Sequence, residues 1–453
     1  MAGRPRSLQS GAFVALLTAA LACLLAFVTL WRYRIFRTDV DLGIFTQVIG
    51  SLGHGFSSTA EGGVNHLLVH WSPIVAFGWP FLRAFGPAGL QVFQALLVAA
   101  TLIPIWGLAR ARFGAAAAFG VVAVASLYPT LWGNGVGDFH EMAFVPLLSA
   151  ALVYALDRRK WTLGIACALL LACTKEDQFV TLAWIGAAIA LTRRGDREQR
   201  RFGATVFFIA LAGAFAYFGV VRNLLQPHVP YLSFRFFDWS GEPSGPAALG
   251  AALLPRVRYV AIVLVPLAFL PCVSRYGLFL VPGLVEILAS HEPVTLAPGA
   301  HYSALLTGYA LAAFVDGLSR IERRRPRALP AALAVAAVAS LAIEIFASPM
   351  EYWYYLYRVP NARDALLDAR LRALPAGAGV GAEGEVFSHL GLDPAASIGM
   401  NGQQWFVYDA THYSTRWHDV DQPAVRRLLA ERAYTVVDDA GGVVVLRRAS
   451  KRR

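Results

Sequence analysis

Charge is scarce in this chain: 15% of its 453 residues are Asp, Glu, Lys or Arg, against 57% hydrophobic. That balance, with a mean hydropathy of +0.51, excludes an ordinary soluble globule, in which roughly a quarter of residues are charged. Cysteine is scarcer still. Cys23, Cys167, Cys173 and Cys272 all lie in apolar segments, and none has a CxxC partner. This disfavours a disulfide framework or a zinc site and reads as small buried hydrophobes. P-loop, GxSxG, HExxH and Rossmann signatures are missing, so a cytoplasmic nucleotide-driven reaction has no support. No repeat of 20–50 residues or low-complexity tract is visible. The net charge of +11 does not form a nucleic-acid-binding stripe; its basic residues fall in short clusters between apolar runs, the pattern of membrane topology.

What the sequence does contain is a series of apolar stretches near the roughly 20 residues needed to cross a bilayer. The expected class is a polytopic α-helical membrane protein. About eleven spans are expected, near 11–31, 88–108, 114–132, 142–157, 161–174, 178–192, 202–221, 257–274, 276–290, 302–318 and 328–348. The first follows Arg4 and Arg6 and has an apolar core too long for a signal peptide, so it reads as an uncleaved span. Alternate connections carry the clusters Arg110–Arg112, Arg158–Lys160, Arg193–Arg201, Arg275 and Arg320–Arg327. The positive-inside rule then puts the N-terminus in the cytoplasm and the C-terminus outside a plasma or inner membrane. Arg32, Arg34 and Arg37 fall on the opposite side and break the pattern.

Two outer segments are long. Residues 32–87 form a first loop with helical patterns at DLGIFTQVIGSLG and NHLLVHWSPIVAFGWPFL. The tail, 350–453, reads as a small extracytoplasmic α/β domain of roughly 90 residues, leaving 1–349 as the transmembrane domain. Within it NARDALLDARLRAL and PAVRRLLAERA have helical period, and YTVVDD and VVVLRR read as strands around a Gly-Gly turn.

On this topology the proton-active residues share the outer face. They are Asp39 and Asp41; His66 and His70; Asp138, His140 and Glu141; Lys175, Glu176 and Asp177; His291, Glu292 and His301; and Glu286 and Glu344 near outer span ends. The cytoplasmic loops offer mainly Arg. Charges held this close to hydrocarbon line a cavity or pair with one another. Asp39-x-Asp41 fits a general base or a divalent-cation site, or solvated loop acids. His66 and His70, four apart, suit a metal or a loop-bound imidazole. Lys175 beside two acids fits a phosphate-binding cation or a self-neutralised cluster.

The runs DVDLGIFTQ, HLLVHWSP, GDFHEMAF, TKEDQF, HYSALLTG and FSHLGL, in that order, resemble a bacterial membrane-protein family known as domain of unknown function 2079. The resemblance spans residues 35–448. That family in turn resembles the GT-C superfamily, multi-span glycosyltransferases that use polyprenyl-phosphate sugars. In GT-C enzymes an early acidic residue of the first external loop is the catalytic or metal-binding group. The resemblance places that role on Asp41, with Asp39 next, and brings His70, Asp138, His140, Glu141, Lys175, Glu176, Asp177, His301 and Tyr302 into the site. The adjacent acidic pair common in GT-C enzymes is here a spaced D-x-D, which leaves open which carboxylate is the base.

The expectation is therefore sugar transfer from a polyprenyl-phosphate donor to an extracytoplasmic glycan, lipid or protein acceptor, with an inverting displacement. Lys175, Arg222, Arg256 and Arg258 are candidates to neutralise the leaving phosphate. Asp39, Asp41, His66 and His70 are candidate ligands for Mg2+ or Mn2+. A transporter or flippase, and a non-catalytic membrane scaffold, are the rivals. The scaffold reading requires the Asp39–Asp41, Asp138 and Lys175 regions to lie apart.

Overall fold

The computed structural model describes residues 5–192, 195–225, 236–239, 246–347, 358–375, 377–400, 402–410 and 422–449. Arg193, Arg194, the start of the tail and its last four residues fall outside these ranges.

Most of the chain is a bundle of apolar helices. Among the described residues, six are long and apolar enough to cross a bilayer: Gly11–Arg34, Pro87–Arg110, Arg197–Leu225, Leu249–Leu267, His301–Arg324 and Pro326–Phe346. A seventh is formed if Ala115–Ser126 and Pro129–Val136, bent by 52°, are one broken span. The bend is placed by Pro129, which opens the second half as its first helical residue. The eleven expected spans fall on helical segments, but 257–274 leaves its α-helix at Leu264 for short 3-10 turns, and several others are short. Val145–Asp157 has 13 residues, Trp161–Ala172 has 12 and Asp177–Thr192 has 16. At about 1.5 Å per residue such helices fall short of the roughly 30 Å hydrocarbon core. Apolar composition therefore does not by itself give the number of crossings.

The His301–Arg324 helix is the central post, its window 89% buried against 17–56% for the other five long helices. Gly308 permits its close approach to Val145–Asp157: a Cβ there would lie 2.1 Å from Ser149 Oγ and 2.3 Å from the Pro146 carbonyl oxygen. One end of the post is locked by ion pairs. Asp157 meets Arg112 and Arg275, each at 2.5 Å, and Asp316 meets Arg275 at 3.2 Å. The other end carries His301.

The tail forms a five-stranded sheet of order β2-β1-β3-β5-β4, with β1 Val380–Ala382, β2 Ser397–Ile398, β3 Trp405–Asp409, β4 Tyr434–Ala440 and β5 Val443–Arg448. β1 runs parallel to β2 and β3, while β5 is antiparallel to β3 and β4. Gly441 and Gly442, at φ +56° and +80°, make the β4–β5 turn. NARDALLDARLRAL forms the helix Ala362–Ala373, opened by a capping box between Asn361 and Asp364. The hydrophobic core of this sheet is shared with the first loop: Phe36 belongs to it, and Val40, Ile44 and Ala60 pack against it.

Candidate functional site

The site begins at the N-terminus of a short helix, Val40–Gly50. Asp39 caps it by accepting from Val40 N at 2.7 Å, and Asp41 sits in the first turn, where the positive helix end favours a carboxylate. The Asp39 amide donates to Asp138, which is also paired with Arg32 at 3.4 Å. Arg32 is buried and further donates to the carbonyls of Val136 and Arg37. Two of the three regions whose separation would have favoured a scaffold, Asp39–Asp41 and Asp138, therefore meet, and Lys175 reaches Glu141, three residues beyond Asp138.

Gly133 shapes the next layer. A Cβ there would lie 2.6 Å from the Pro298 carbonyl oxygen and 2.7 Å from Gly299 Cα, so only glycine lets the Pro129–Val136 helix seat the segment that carries His301. Asn134 secures the seat by donating to Ser303 Oγ and Thr307 Oγ1 at 3.0 and 3.3 Å. Gln94 holds the following turn, donating to the Gly137 carbonyl at 2.8 Å and accepting from His140 N at 3.1 Å. As a result the His140 and His301 rings stack 3.5 Å apart and 9° from parallel. His301 Nδ1 is 3.8 Å from Asp41 Oδ2.

Behind them, Glu141 Oε2 lies 2.9 Å from His140 Nδ1, and Glu141 Oε1 lies 3.9 Å from Lys175 Nζ. The Lys175 ammonium sits 5.4 Å from the centre of the Tyr302 ring. Glu176 turns the other way, accepting from Trp71 N at 2.8 Å and meeting His70 Nδ1 at 2.9 Å. Asp177 opens the Asp177–Thr192 helix, its Oδ1 accepting from Gln178 Nε2 at 3.0 Å.

The electrostatics follow from crowding. Loss of water pushes the Asp41 carboxyl well above the usual carboxylate range, helped by Asp39, Asp138 and Glu141 and opposed by Lys175. This holds although 35% of the Asp41 side chain stays open, because the carboxyl is densely surrounded on its other sides. Burial lifts Asp138 to about 6, against the pull of Arg32. Burial would lower Lys175, but Glu141, Asp177, Tyr302 and Glu176 outweigh it and hold the ammonium charged. For His70, burial is likewise outweighed, here by Glu176, so its basicity is raised.

Two expected groupings resolve differently. Asp41, His140 and His301 each offer a ligand atom within 4.8 Å of the others, whereas Asp39, His66 and His70 have other engagements. His66 bridges Glu61, at 2.8 Å, and Ser72, at 2.8 Å. That Glu-His-Ser geometry resembles a hydrolase relay, but Ser72 is 0% exposed, so it acts as a clamp on the loop. Two imidazoles and one carboxylate suit Mn2+ or another transition ion; Mg2+ prefers oxygen ligands. Among the expected phosphate-binding cations, Lys175 lies in the cluster. Arg222 is buried against the Leu68 carbonyl and Tyr217, at 2.5 and 3.3 Å. Arg256 donates to the carbonyls of Leu288 and Ala252 at 2.8 and 2.5 Å, and to that of Ser290. Arg258 is exposed. Sequence reasoning missed Arg32, Gln94 and Asn134. The signal for Arg32 was its place on the face where the positive-inside rule expects no arginine.

The family model described as "Predicted membrane protein (DUF2079)" matches residues 32–240 and 247–374. No curated protein matches the chain in sequence. Among solved structures, the fold is similar to ArnT from Cupriavidus metallidurans bound to undecaprenyl phosphate, with a TM-score of 0.60 at 14% identity over 96% of this chain and 98% of that one. The same enzyme in its apo state gives 0.58 at 12% identity with the same coverage. Arabinofuranosyltransferase AftD from Mycobacteria gives 0.50 at 15% identity over 98% of this chain and 40% of that one. These likenesses show a fold shared with ArnT over nearly the whole chain.

Proposed function

The chain belongs to the predicted membrane protein family DUF2079, and on that premise we propose that it transfers a sugar from a polyprenyl-phosphate-linked donor to an acceptor hydroxyl at the extracytoplasmic face. The observation that carries this reading is the convergence of an open, proton-hungry carboxylate, Asp41, with a buried ammonium, Lys175, across the stacked His140–His301 pair. It supports displacement chemistry on a GT-C fold whose ArnT neighbour was solved with undecaprenyl phosphate.

In the proposed reaction Asp41 accepts the proton of the acceptor hydroxyl, whose oxygen attacks the anomeric carbon. The bond from that carbon to the phosphate oxygen breaks, and polyprenyl phosphate departs with its charge neutralised by Lys175. One base suffices for such an inverting displacement. Asp138 and Arg32 steady the Asp39 amide at the cap of the Asp41 helix. An ion held by Asp41, His140 and His301 would supply further Lewis-acid neutralisation of the leaving phosphate. The arginine pairs at the opposite end of the post support a cytoplasmic location for that end. Lys175, Asp177 and Tyr302 form the donor side, and the tail, through Gly384 beside Asp39, forms part of the acceptor side.

The test is to incubate detergent-purified protein with a labelled polyprenyl-phosphate sugar and an extract of envelope acceptors, and to follow release of polyprenyl phosphate. Release that depends on the acceptor is expected. A donor left intact under all acceptors overturns the proposal.

A further inference from the structure

The reaction outlined above gives no task to Glu141, which is 0% exposed and so out of reach of any substrate. Among the described residues no backbone N–H or hydroxyl donates to either of its carboxyl oxygens. A carboxylate taken wholly out of water persists only with positive or proton-donating groups against it. Those groups are His140 Nδ1 at 2.9 Å and Lys175 Nζ at 3.9 Å. Lys175 in turn lies over Tyr302, the Tyr302 ring is 4.2 Å from that of His301, and His301 stacks on His140. The contacts close a ring of five side chains drawn from three chain segments, with Glu141 as its anion.

We infer that Glu141 is the positioning residue of this site: it holds His140 in the tautomer with its proton on Nδ1 and anchors the Lys175 ammonium beside it. A carboxylate oxygen and an unprotonated ring nitrogen 2.9 Å apart would set two lone pairs against each other, so Nδ1 carries the proton and Nε2 keeps its lone pair. The competing donor, Met142 N, is 3.4 Å from Nδ1, beyond the usual range for such bonds. A carboxylate behind an imidazole fixes the ring and strengthens the far nitrogen as an acceptor of a proton, a hydroxyl or a metal. What Nε2 and Lys175 act upon rests on the glycosyl-transfer reading; the tautomer does not.

The experiment is nitrogen NMR of full-length, 15N-histidine-labelled protein in detergent, stripped with chelator, at alkaline pH, with His140 assigned through His140→Asn. The expected wild-type signal is the Nδ1–H tautomer. In Glu141→Met and Glu141→Leu the Nε2–H tautomer appears, and kcat for transfer falls about tenfold or more. An Nε2–H signal in the wild type, or an unchanged His140 signal in a folded variant, overturns the inference. If both variants fail to fold, the wild-type tautomer decides. If the tautomers behave as stated but the wild type transfers no sugar, the functional proposal fails and the positioning role stands.

Discussion

Asp41 combines exposure with a raised proton affinity, and its protonation is the first lever on activity. A base whose affinity is raised loses function as pH falls through that raised value, well before the ordinary Asp value of about 3.9. The kcat/KM profile should therefore show an acid limb above that range. Asp138, lifted to about 6, also takes up a proton as the pH falls. A rate that is flat down to the ordinary Asp value of about 3.9 would contradict the assignment. Lys175 gives a second residue-scale prediction. Lys175→Met leaves Glu141 buried without the ammonium, and breaking a buried pair costs about 3–5 kcal/mol. Thermal or denaturant unfolding should show that loss, together with weaker donor binding. A stable variant with normal donor affinity would remove Lys175 from its role. Asp41, His140 and Lys175 were legible in the sequence because they stand at the edges of apolar runs. Arg32 was not, because an arginine beside a span reads first as topology. The burial of Glu141 was hidden too, since adjacent residues in a loop look equally wet.

At the scale of elements, the Asp41 helix depends on the tail. A Cβ at Gly43 would lie 2.5 Å from the ring of Phe387, which is 0% exposed and has no room to withdraw. Gly391 makes a matching approach to Thr46, whose Cβ lies 2.8 Å from where a side chain would start. Polar bonds reinforce the seam: Thr38 Oγ1 meets Ser388 Oγ at 2.7 Å, and Gln47 donates to the carbonyls of Asp393 and Ala396 at 3.1 and 3.0 Å. His389 is sandwiched between Tyr33 and Phe36, each ring 4.0 Å away. Gly43→Ala should cost about 1–3 kcal/mol through overpacking and lower transfer, because the displaced helix carries Asp41. Normal melting and normal activity would show that the seam is loose. Gly133→Ala should act from the other side by pushing the 298–300 backbone and unstacking His301, with a comparable cost. The tail's hairpin and first helix were legible from their periods and turn glycines. Its fusion with the first loop was not, since Phe36, Val40 and Ile44 look like continuations of the membrane region.

For the whole molecule, the helical membrane class followed from apolar composition, while the count of crossings did not. Short apolar helices such as Trp161–Ala172 leave leucines exposed (Leu163 and Leu169) just as the long helices do, so composition alone does not separate a short helix from a full crossing. The molecule has two charged ends: arginine–aspartate pairs around Asp157 and Asp316, and the acid–imidazole–ammonium cluster around Asp41. That polarity supports a single extracytoplasmic reaction site facing a lipid-borne donor. The most direct test compares wild-type protein with Asp41→Asn for acceptor-dependent release of polyprenyl phosphate, with donor binding measured in parallel. The account predicts that the variant folds, binds the donor and loses transfer by about a hundredfold or more, as expected for removal of a general base. Transfer within a fewfold of wild type would contradict it.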